Sequence, residues 1–156
     1  MSSQELEYAG FWSRTGAAII DTLLIMAITL PLLASIYGWD QIVSPDSDFI
    51  LGPAHFLINY VAPAIASILF WSYKQATPGK MVISAKILDA ETGKPASTGQ
   101  LIGRYFAYFI SIIPLMLGII WVAFDKRKQG WHDKLSGTVV VKHKNSGPDP
   151  VKFTAA

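Results

Sequence analysis

Cysteine is absent from the 156 residues, and charged side chains make up only 15% of them. The lack of cysteine excludes a disulfide scaffold and cysteine-based catalysis, and it leaves the redox compartment open. The charge deficit is large, because an average soluble domain carries roughly 25% charged residues. A net charge of only +2 argues against a nucleic-acid-binding module, and an apolar fraction of 51% argues against a disordered chain.

Apolar residues occur in runs that are long enough to cross a bilayer, which takes roughly 20 residues. The mean hydropathy is +0.36, and the three runs cover residues 16–37, 51–73 and 101–124. Buried core helices are the alternative, but too little polar chain remains to cover three of them. A cleaved signal peptide is disfavoured, because Glu5 and Glu7 precede the first run where positive charges are expected. The sequence therefore predicts a membrane protein.

Basic residues predict the orientation of these runs. The loop 38–50 carries three Asp and no Lys or Arg, whereas the segments 74–100 and 126–144 carry ten basic residues between them. By the positive-inside rule, the first loop lies outside and both basic segments are cytoplasmic. Three simple crossings would place the second basic segment outside, so we expect the third run to enter and return. Pro114, followed by Gly118, is the predicted break.

The resulting fold class is an all-α integral membrane helical bundle with two full spans and a Pro-broken helical hairpin. Its predicted arms cover residues 98–113, with Thr98 as N-cap, and 115–125. The β-branched segments 81–89 and 138–142 are expected to pair as a small cytoplasmic β-ribbon. Residues 1–145 are predicted to form one membrane domain with both termini cytoplasmic, and 146–156 a loose tail.

Only two charged residues, Asp21 and Arg104, fall within the apolar runs. A carboxylate at mid-membrane costs about 2.5–3.5 kcal/mol, so Asp21 is expected to face protein or water. Arg14 precedes it by about 10.5 Å along a helix, and Arg104 is an equally suitable partner. Asp125 is a suitable partner for Arg14. The pattern indicates an ion-pair cluster that locks helices together, a proton- or cation-handling site, or a partner-binding site.

A polar line follows the second run, where His55, Asn59, Pro63 and Ser67 recur at every fourth residue. This face either lines a water-filled path or is the surface on which the helix packs against other helices. The histidines lack zinc-ligand spacing, no Ser-centred nucleophile motif occurs, and Gly79-Lys80 fails the phosphate-loop pattern. We therefore expect neither an enzyme nor a metal or cofactor site.

Three segments resemble a known family, the RDD family of small bacterial membrane proteins, named for one Arg and two Asp. They are Trp12-Ser-Arg14 with Ile20-Asp21, Thr77-Pro-Gly-Lys-Met81 with Ile87-Leu-Asp-Ala, and the run from Phe124 to Val141. The resemblance covers residues 8–142. It equates Arg14 and Asp21 with the first two name-giving residues and leaves Asp125 and Asp133 as alternatives for the third.

The resemblance implies a bacterial cell (inner) membrane protein with a suggested role in transport and, for some members, in cation/proton exchange. One hypothesis is a transporter or transporter subunit in which Asp21 is the protonatable site. Since the chain has no internal repeat, it would need to oligomerise. The alternative is a non-transporting scaffold or accessory (assembly) protein. The expected partners are the lipid bilayer and either a second copy or another membrane protein, with no nucleic acid.

Overall fold

A computed structural model of the chain describes residues 6–143. Its three strands are β1 (Leu6–Tyr8), β2 (Ala85–Asp89) and β3 (Thr138–His143). Its α-helices are α1 (Phe11–Tyr37), α2 (Trp39–Val43), α3 (Pro53–Phe56), α4 (Ala62–Lys74), α5 (Pro78–Val82), α6 (Thr98–Ile112), α7 (Leu117–Ile120) and α8 (Trp131–Ser136). A π-helical turn, Leu57–Val61, joins α3 to α4, and a 3-10 turn, Trp121–Ala123, follows α7.

Two helical segments are long and apolar enough to cross a membrane, α1 with 27 residues and Pro53–Val82 with 30. At 1.5 Å per residue α1 is about 40 Å long, which exceeds the hydrocarbon thickness of about 30 Å. In their most apolar windows only 11% and 6% of the residues are buried within the chain. The predicted apolar helices at 16–37 and 51–73 are confirmed, although α1 already begins at Phe11.

The third apolar run is a broken helix pair. Helix α6 and the segment Leu117–Ala123 are bent by 111° relative to each other. The break contains Pro114, as predicted, and both Leu115 and Met116 adopt positive φ angles of 55° and 62°. Left-handed backbone at two consecutive non-glycine residues cannot continue a helix, so the chain reverses here. The second arm is shorter than the predicted 115–125.

The start of α6 differs by one residue from the prediction, because the N-cap is Ser97 and not Thr98. Ser97 Oγ accepts a hydrogen bond from the backbone N–H of Gln100, and Gln100 Oε1 accepts one from the backbone N–H of Ser97. This reciprocal capping box satisfies two amides that the helix leaves without partners.

Gly118 allows the two arms to lie against each other. A Cβ atom at this position would lie 2.7 Å from Ser111 Cα on α6. Only a residue without a side chain permits this approach, so Gly118 is required for the two arms of the bent pair to pack together.

The strands form one antiparallel sheet in the order β1-β3-β2. Strand β2 pairs with β3 from Ala85↔Lys142 to Asp89↔Thr138, which confirms the predicted ribbon. The third strand, β1, was not predicted, because three residues give no periodic signal. Residues 81–84 were wrongly expected to be part of β2. Residues 81 and 82 instead belong to α5, since Pro78 at the first helical position has a φ angle suited to a helix start, and residues 83 and 84 form a turn.

The sheet and one end of each long helix share a small core. Ile87 and Val140 of the sheet pack with Leu101 of α6 and Trp71 of α4. Backbone hydrogen bonds tie the sheet to the adjoining segments, from Ala9 N to Val140 O at 2.9 Å and from Ile87 N to Gln75 O at 2.6 Å. We call this region the sheet end. The predicted tail 146–156 lies outside the described residues.

Candidate functional site: a buried arginine–aspartate cluster

The centre of the site is the carboxylate of Asp133, in the first turn of α8. Its side chain is fully buried. Oδ2 accepts a hydrogen bond from the backbone N–H of Gly130 at 2.9 Å, which caps the start of this short helix. An anion at a helix N-terminus also interacts favourably with the exposed amides of the first turn.

Two guanidinium groups bind this carboxylate from different helices. Arg104 of α6 donates from Nη1 to Oδ1, and Arg14 of α1 donates from Nη1 to Oδ2 at 2.5 Å. The remaining donors of Arg14 reach backbone carbonyls, with Nε 2.9 Å from Ala9 O and Nη2 2.5 Å from Lys128 O. Arg14 and Asp133 are 119 positions apart in the chain. The cluster therefore joins α1, α6 and α8 at the sheet end.

The Arg104 side chain is completely buried and surrounded by polar and aromatic groups. Nη1 also donates to Thr138 Oγ1 at 2.6 Å, and Nη2 donates to the hydroxyl of Tyr108 at 3.4 Å. The guanidinium carbon lies 5.7 Å from the ring centroid of Trp71 and 5.5 Å from that of Tyr108, within cation–π distance. Only Nε lacks a hydrogen-bond partner within residues 6–143. The charge of Arg104 is thus compensated by one ion pair and two rings.

The ionised state of Asp133 is fixed. Burial alone raises the pKa of a carboxyl group, but the charges of Arg104 and Arg14 outweigh this and hold the pKa of Asp133 far below its ordinary value. The ring of neighbouring His132 stacks on Tyr108 with centroids 4.0 Å apart. Burial lowers the pKa of His132 to about 3, so its imidazole is neutral at physiological pH. The cluster consequently holds permanent charges and is poorly suited to exchange protons.

Acidification below pH 6.5 is expected to destabilise the protein through His132. The pKa of His132 is about 3 in the folded chain and about 6.5 in the unfolded chain. Between pH 3 and pH 6.5, His132 is therefore protonated in the unfolded chain but not in the folded one. The slope approaches about 1.4 kcal/mol per pH unit. Unfolding in detergent between pH 6.5 and 4.5 should show a reduced slope for His132→Gln. Equal slopes for His132→Gln and wild type would contradict this assignment.

Asp21 lies outside the cluster and contacts α5 and the residue before it. Its Oδ2 accepts a hydrogen bond from Thr77 Oγ1 at 2.5 Å, and its Oδ1 accepts one from the backbone N–H of Gly79 at 2.7 Å. The expected partners Arg14 and Arg104 were wrong, because both bind Asp133. Within residues 6–143 the carboxylate forms no ion pair with Lys or Arg.

Asp125 was expected to bind Arg14, and this too was wrong. Its Oδ1 lies 2.5 Å from Lys134 Nζ, and its Oδ2 accepts from the backbone amides of Arg127 at 3.0 Å and Gln129 at 3.1 Å. Partial burial opposes ionisation, but these hydrogen bonds outweigh it and lower the pKa of Asp125. The Lys134 side chain is 45% exposed, so this pair is a surface feature beside the buried cluster.

The polar line of the second run is divided between two places. His55 Nε2 and Asn59 Nδ2 are 2.9 Å apart, and the backbone N–H of His55 donates to the hydroxyl of Tyr37 at the far end of α1. Ser67 instead lines a crevice between α4 and α6, together with Trp71 and Tyr105.

Sequence reasoning missed several residues of the site, among them Thr77, Lys80, Tyr108 and His132. Thr77, Gly79 and Lys80 belong to the quoted segment Thr77-Pro-Gly-Lys-Met81. Its polar residues beside an apolar run were the available signal. Tyr108 and His132 gave no such signal, since aromatic residues near membrane helices are common.

The described part of the chain combines long, poorly buried apolar helices with a small sheet and internal ion pairs, a combination typical of a membrane protein. The sequence matches the RDD family over residues 8–137. The chain belongs to this family, as the resemblance predicted. No solved structure matches it significantly.

Relatives span the chain to different extents. The uncharacterized protein YxaI of Bacillus subtilis (strain 168) is 31% identical over 85% of this chain and 96% of its own length. The uncharacterized membrane protein YteJ of the same organism is 28% identical over 88% of this chain and 82% of its own. The uncharacterized protein RP437 of Rickettsia prowazekii (strain Madrid E) is 39% identical over 56% of this chain, and the match spans about half, 48%, of that relative.

Proposed function

We propose that this chain is a non-enzymatic scaffold or accessory protein of the bacterial cell membrane that binds another membrane helix, from a second copy or from a partner protein. The observation that supports this role is the Arg14–Asp133–Arg104 cluster. Its charges are permanent and directed inward, so they hold helices together and are not available for chemistry on a substrate. The apolar windows of the two long helices, mostly exposed in the single chain, are then the surfaces on which lipid and partner helices pack.

The absence of cysteine makes this proposal testable by single-cysteine crosslinking without background. Leu24 and Ile28 lie one turn apart on α1 and are 45% and 69% exposed, whereas Leu33 is 2% exposed. We expect Leu24→Cys or Ile28→Cys, but not the control Leu33→Cys, to give an oxidative crosslink between copies or an adduct with a partner in native membranes. Tests at the other exposed α1 positions would follow, and no crosslink at any of them would refute helix pairing through α1.

We also propose that the sheet end is cytoplasmic, with both termini on that side. This orientation rests on the basic residues of segments 74–100 and 126–144 and on the acidic loop 38–50. An impermeant maleimide should label Ser47→Cys in intact cells and Thr92→Cys only after permeabilisation. The reverse pattern would invert the topology.

Transport is the second candidate function, and the observation that favours it is the carboxylate of Asp21. It lies on an apolar helix, is only half-buried, and has no ion pair with Lys or Arg in the described chain. In an oligomer that surrounds a path, such a group is suited to exchange a proton for a cation.

Asp21→Asn is expected to abolish cation flux driven by a pH gradient in vesicles if the protein transports. The amide has almost the volume of the carboxylate and keeps one oxygen acceptor, so the fold should persist, but it no longer binds and releases a proton. The control Asp125→Asn changes a carboxylate that is paired with Lys134 at the surface and should leave flux unchanged. Wild-type flux in Asp21→Asn would exclude this role.

A further inference from the structure

A cavity of about 290 Å³ lies beside the cluster. It is lined by the first turns of α1, by α5, α6 and α8, and by the returning arm of the bent pair. Its polar lining comprises Arg14, Thr15, Lys80, Tyr108 and His132, and its remaining wall is apolar, with Phe11, Ile119 and Val122 among the residues. The cavity thus has a cationic side and an apolar side.

Lys80 is the unexplained group in this cavity. Its side chain lines the cavity and is only 8% exposed. With residues 6–143 it forms neither an ion pair nor a hydrogen bond. A buried ammonium group is costly unless a counter-ion compensates it. The other cations of the region, Arg14 and Arg104, do have such a counter-ion in Asp133.

When Lys80 is protonated, the charges around the cavity leave one positive charge in excess. Lys80 interacts electrostatically with Asp21, Arg14 and Arg104, and Asp133 lies between the two guanidiniums. Three cations therefore face two carboxylates, and neither carboxylate is within ion-pair distance of Lys80. His132 adds no charge, because its imidazole is neutral. One additional anion at Lys80 would neutralise the region.

The apolar wall indicates what kind of anion fits. Ala18, Met116 and Ile120 line the cavity and are also exposed on the outer apolar surface, Met116 to 50% and Ile120 to 40%. A molecule in the bilayer can therefore reach the cavity sideways. A free inorganic anion would gain nothing from this wall, whereas an acyl chain would bury apolar area against it.

We propose that this cavity binds one anionic membrane lipid, with the phosphate group at Lys80 and the first methylenes of an acyl chain along the apolar wall. The volume lies at the lower end of ligand sites, about 300–1,000 Å³, and suits a headgroup with part of a chain. The proposal rests on the membrane location of the chain but not on its role as scaffold or transporter.

The test uses the full chain purified in a mild non-ionic detergent. Phosphatidylglycerol, zwitterionic phosphatidylcholine and inorganic phosphate are added separately. Thermal unfolding is followed by tryptophan fluorescence, and bound lipid is counted by native mass spectrometry. We expect phosphatidylglycerol to raise the Tm in a saturable manner with one lipid retained per chain. We expect neither effect from phosphatidylcholine and no increase in Tm from inorganic phosphate.

Three variants separate the cationic and apolar requirements. Lys80→Met removes the buried charge at similar volume and should weaken phosphatidylglycerol binding by at least about tenfold. The matched control Lys74→Met removes an exposed lysine at the end of α4 and should bind as wild type. Ala18→Phe keeps every charge but fills the cavity from an exposed position, so it should also lose the lipid while its Tm without lipid stays close to that of wild type.

Three results would overturn the proposal. The first is wild-type affinity for phosphatidylglycerol in both Lys80→Met and Ala18→Phe. The second is equal retention of phosphatidylcholine, which would indicate a purely apolar site. The third is a saturable rise in Tm with inorganic phosphate alone, which would indicate a free-anion site. The crosslinking test of α1 does not depend on any of these lipid-binding results. A failure of the lipid proposal can therefore be distinguished from a failure of the scaffold role.

Discussion

Asp133→Asn is expected to lower the free energy of unfolding by about 3–5 kcal/mol. The substitution keeps the shape of the side chain but removes the negative charge that Arg14 and Arg104 share. Two guanidiniums then remain close together, one of them with a fully buried side chain. The cost reflects two uncompensated buried cations more than the lost hydrogen bonds. Chemical denaturation in a fixed detergent, followed by tryptophan fluorescence, measures this difference.

The matched control is Asp125→Asn, because this aspartate lies on the same chain segment and is also ion-paired. Its partner Lys134 is 45% exposed, against 0% for the Arg104 side chain. Solvent screening limits the cost of losing an exposed pair to about 1 kcal/mol or less. Equal destabilisation by the two substitutions would show that burial of Asp133 does not determine its contribution.

Gly79→Ala is expected to destabilise the protein by about 3 kcal/mol or more, despite adding only one methyl group. The new Cβ would lie 2.0 Å from the backbone oxygen of Ala17 and 2.9 Å from Asp21 Cγ. Because the first of these atoms belongs to the backbone of α1, no change of rotamer relieves the contact. Helices α1 and α5 must separate, and the hydrogen bonds from Thr77 and Gly79 to Asp21 are then lost.

Gly103→Ala provides the control for the helix propensity of alanine. Gly103 is exposed on α6, and a Cβ there would have no atom within 4 Å. Alanine at this helical position should raise stability by up to about 1 kcal/mol. Opposite signs for the two substitutions, measured by thermal unfolding, would demonstrate close backbone contact at Gly79. A neutral Gly79→Ala would mean that α1 and α5 are not in contact there.

The sequence predicted the features that depend on local composition. Apolar runs predicted the long helices, and Pro114 predicted the break in the third apolar run. Proline lacks a backbone N–H donor whatever its distant contacts are, so this effect can be predicted from the sequence. Alternating β-branched residues predicted that β2 and β3 pair. Strand β1 was not predicted, because Leu6–Tyr8 is extended only by pairing with the distant strand β3.

The ionic partners were less predictable, because they depend on contacts between distant segments. Helical spacing placed Arg14 and Asp21 on a similar face, and this made them candidates for a pair. The sequence did not show that α8 inserts Asp133 between Arg14 and Arg104, or that Thr77 and Gly79 at the start of α5 provide two donors for Asp21. The cluster was expected, but its members were assigned to the wrong partners.

The 119-residue separation of Arg14 and Asp133 has a consequence for biosynthesis. At about 5–20 residues per second, a ribosome needs roughly 6–24 s to make Asp133 after Arg14. During this interval α1 leaves the ribosome before its arginine has a counter-ion, and β1 remains unpaired for somewhat longer, until β3 is made. Translation that stops before α8 leaves apolar helices without the ion pairs that fix their sheet end.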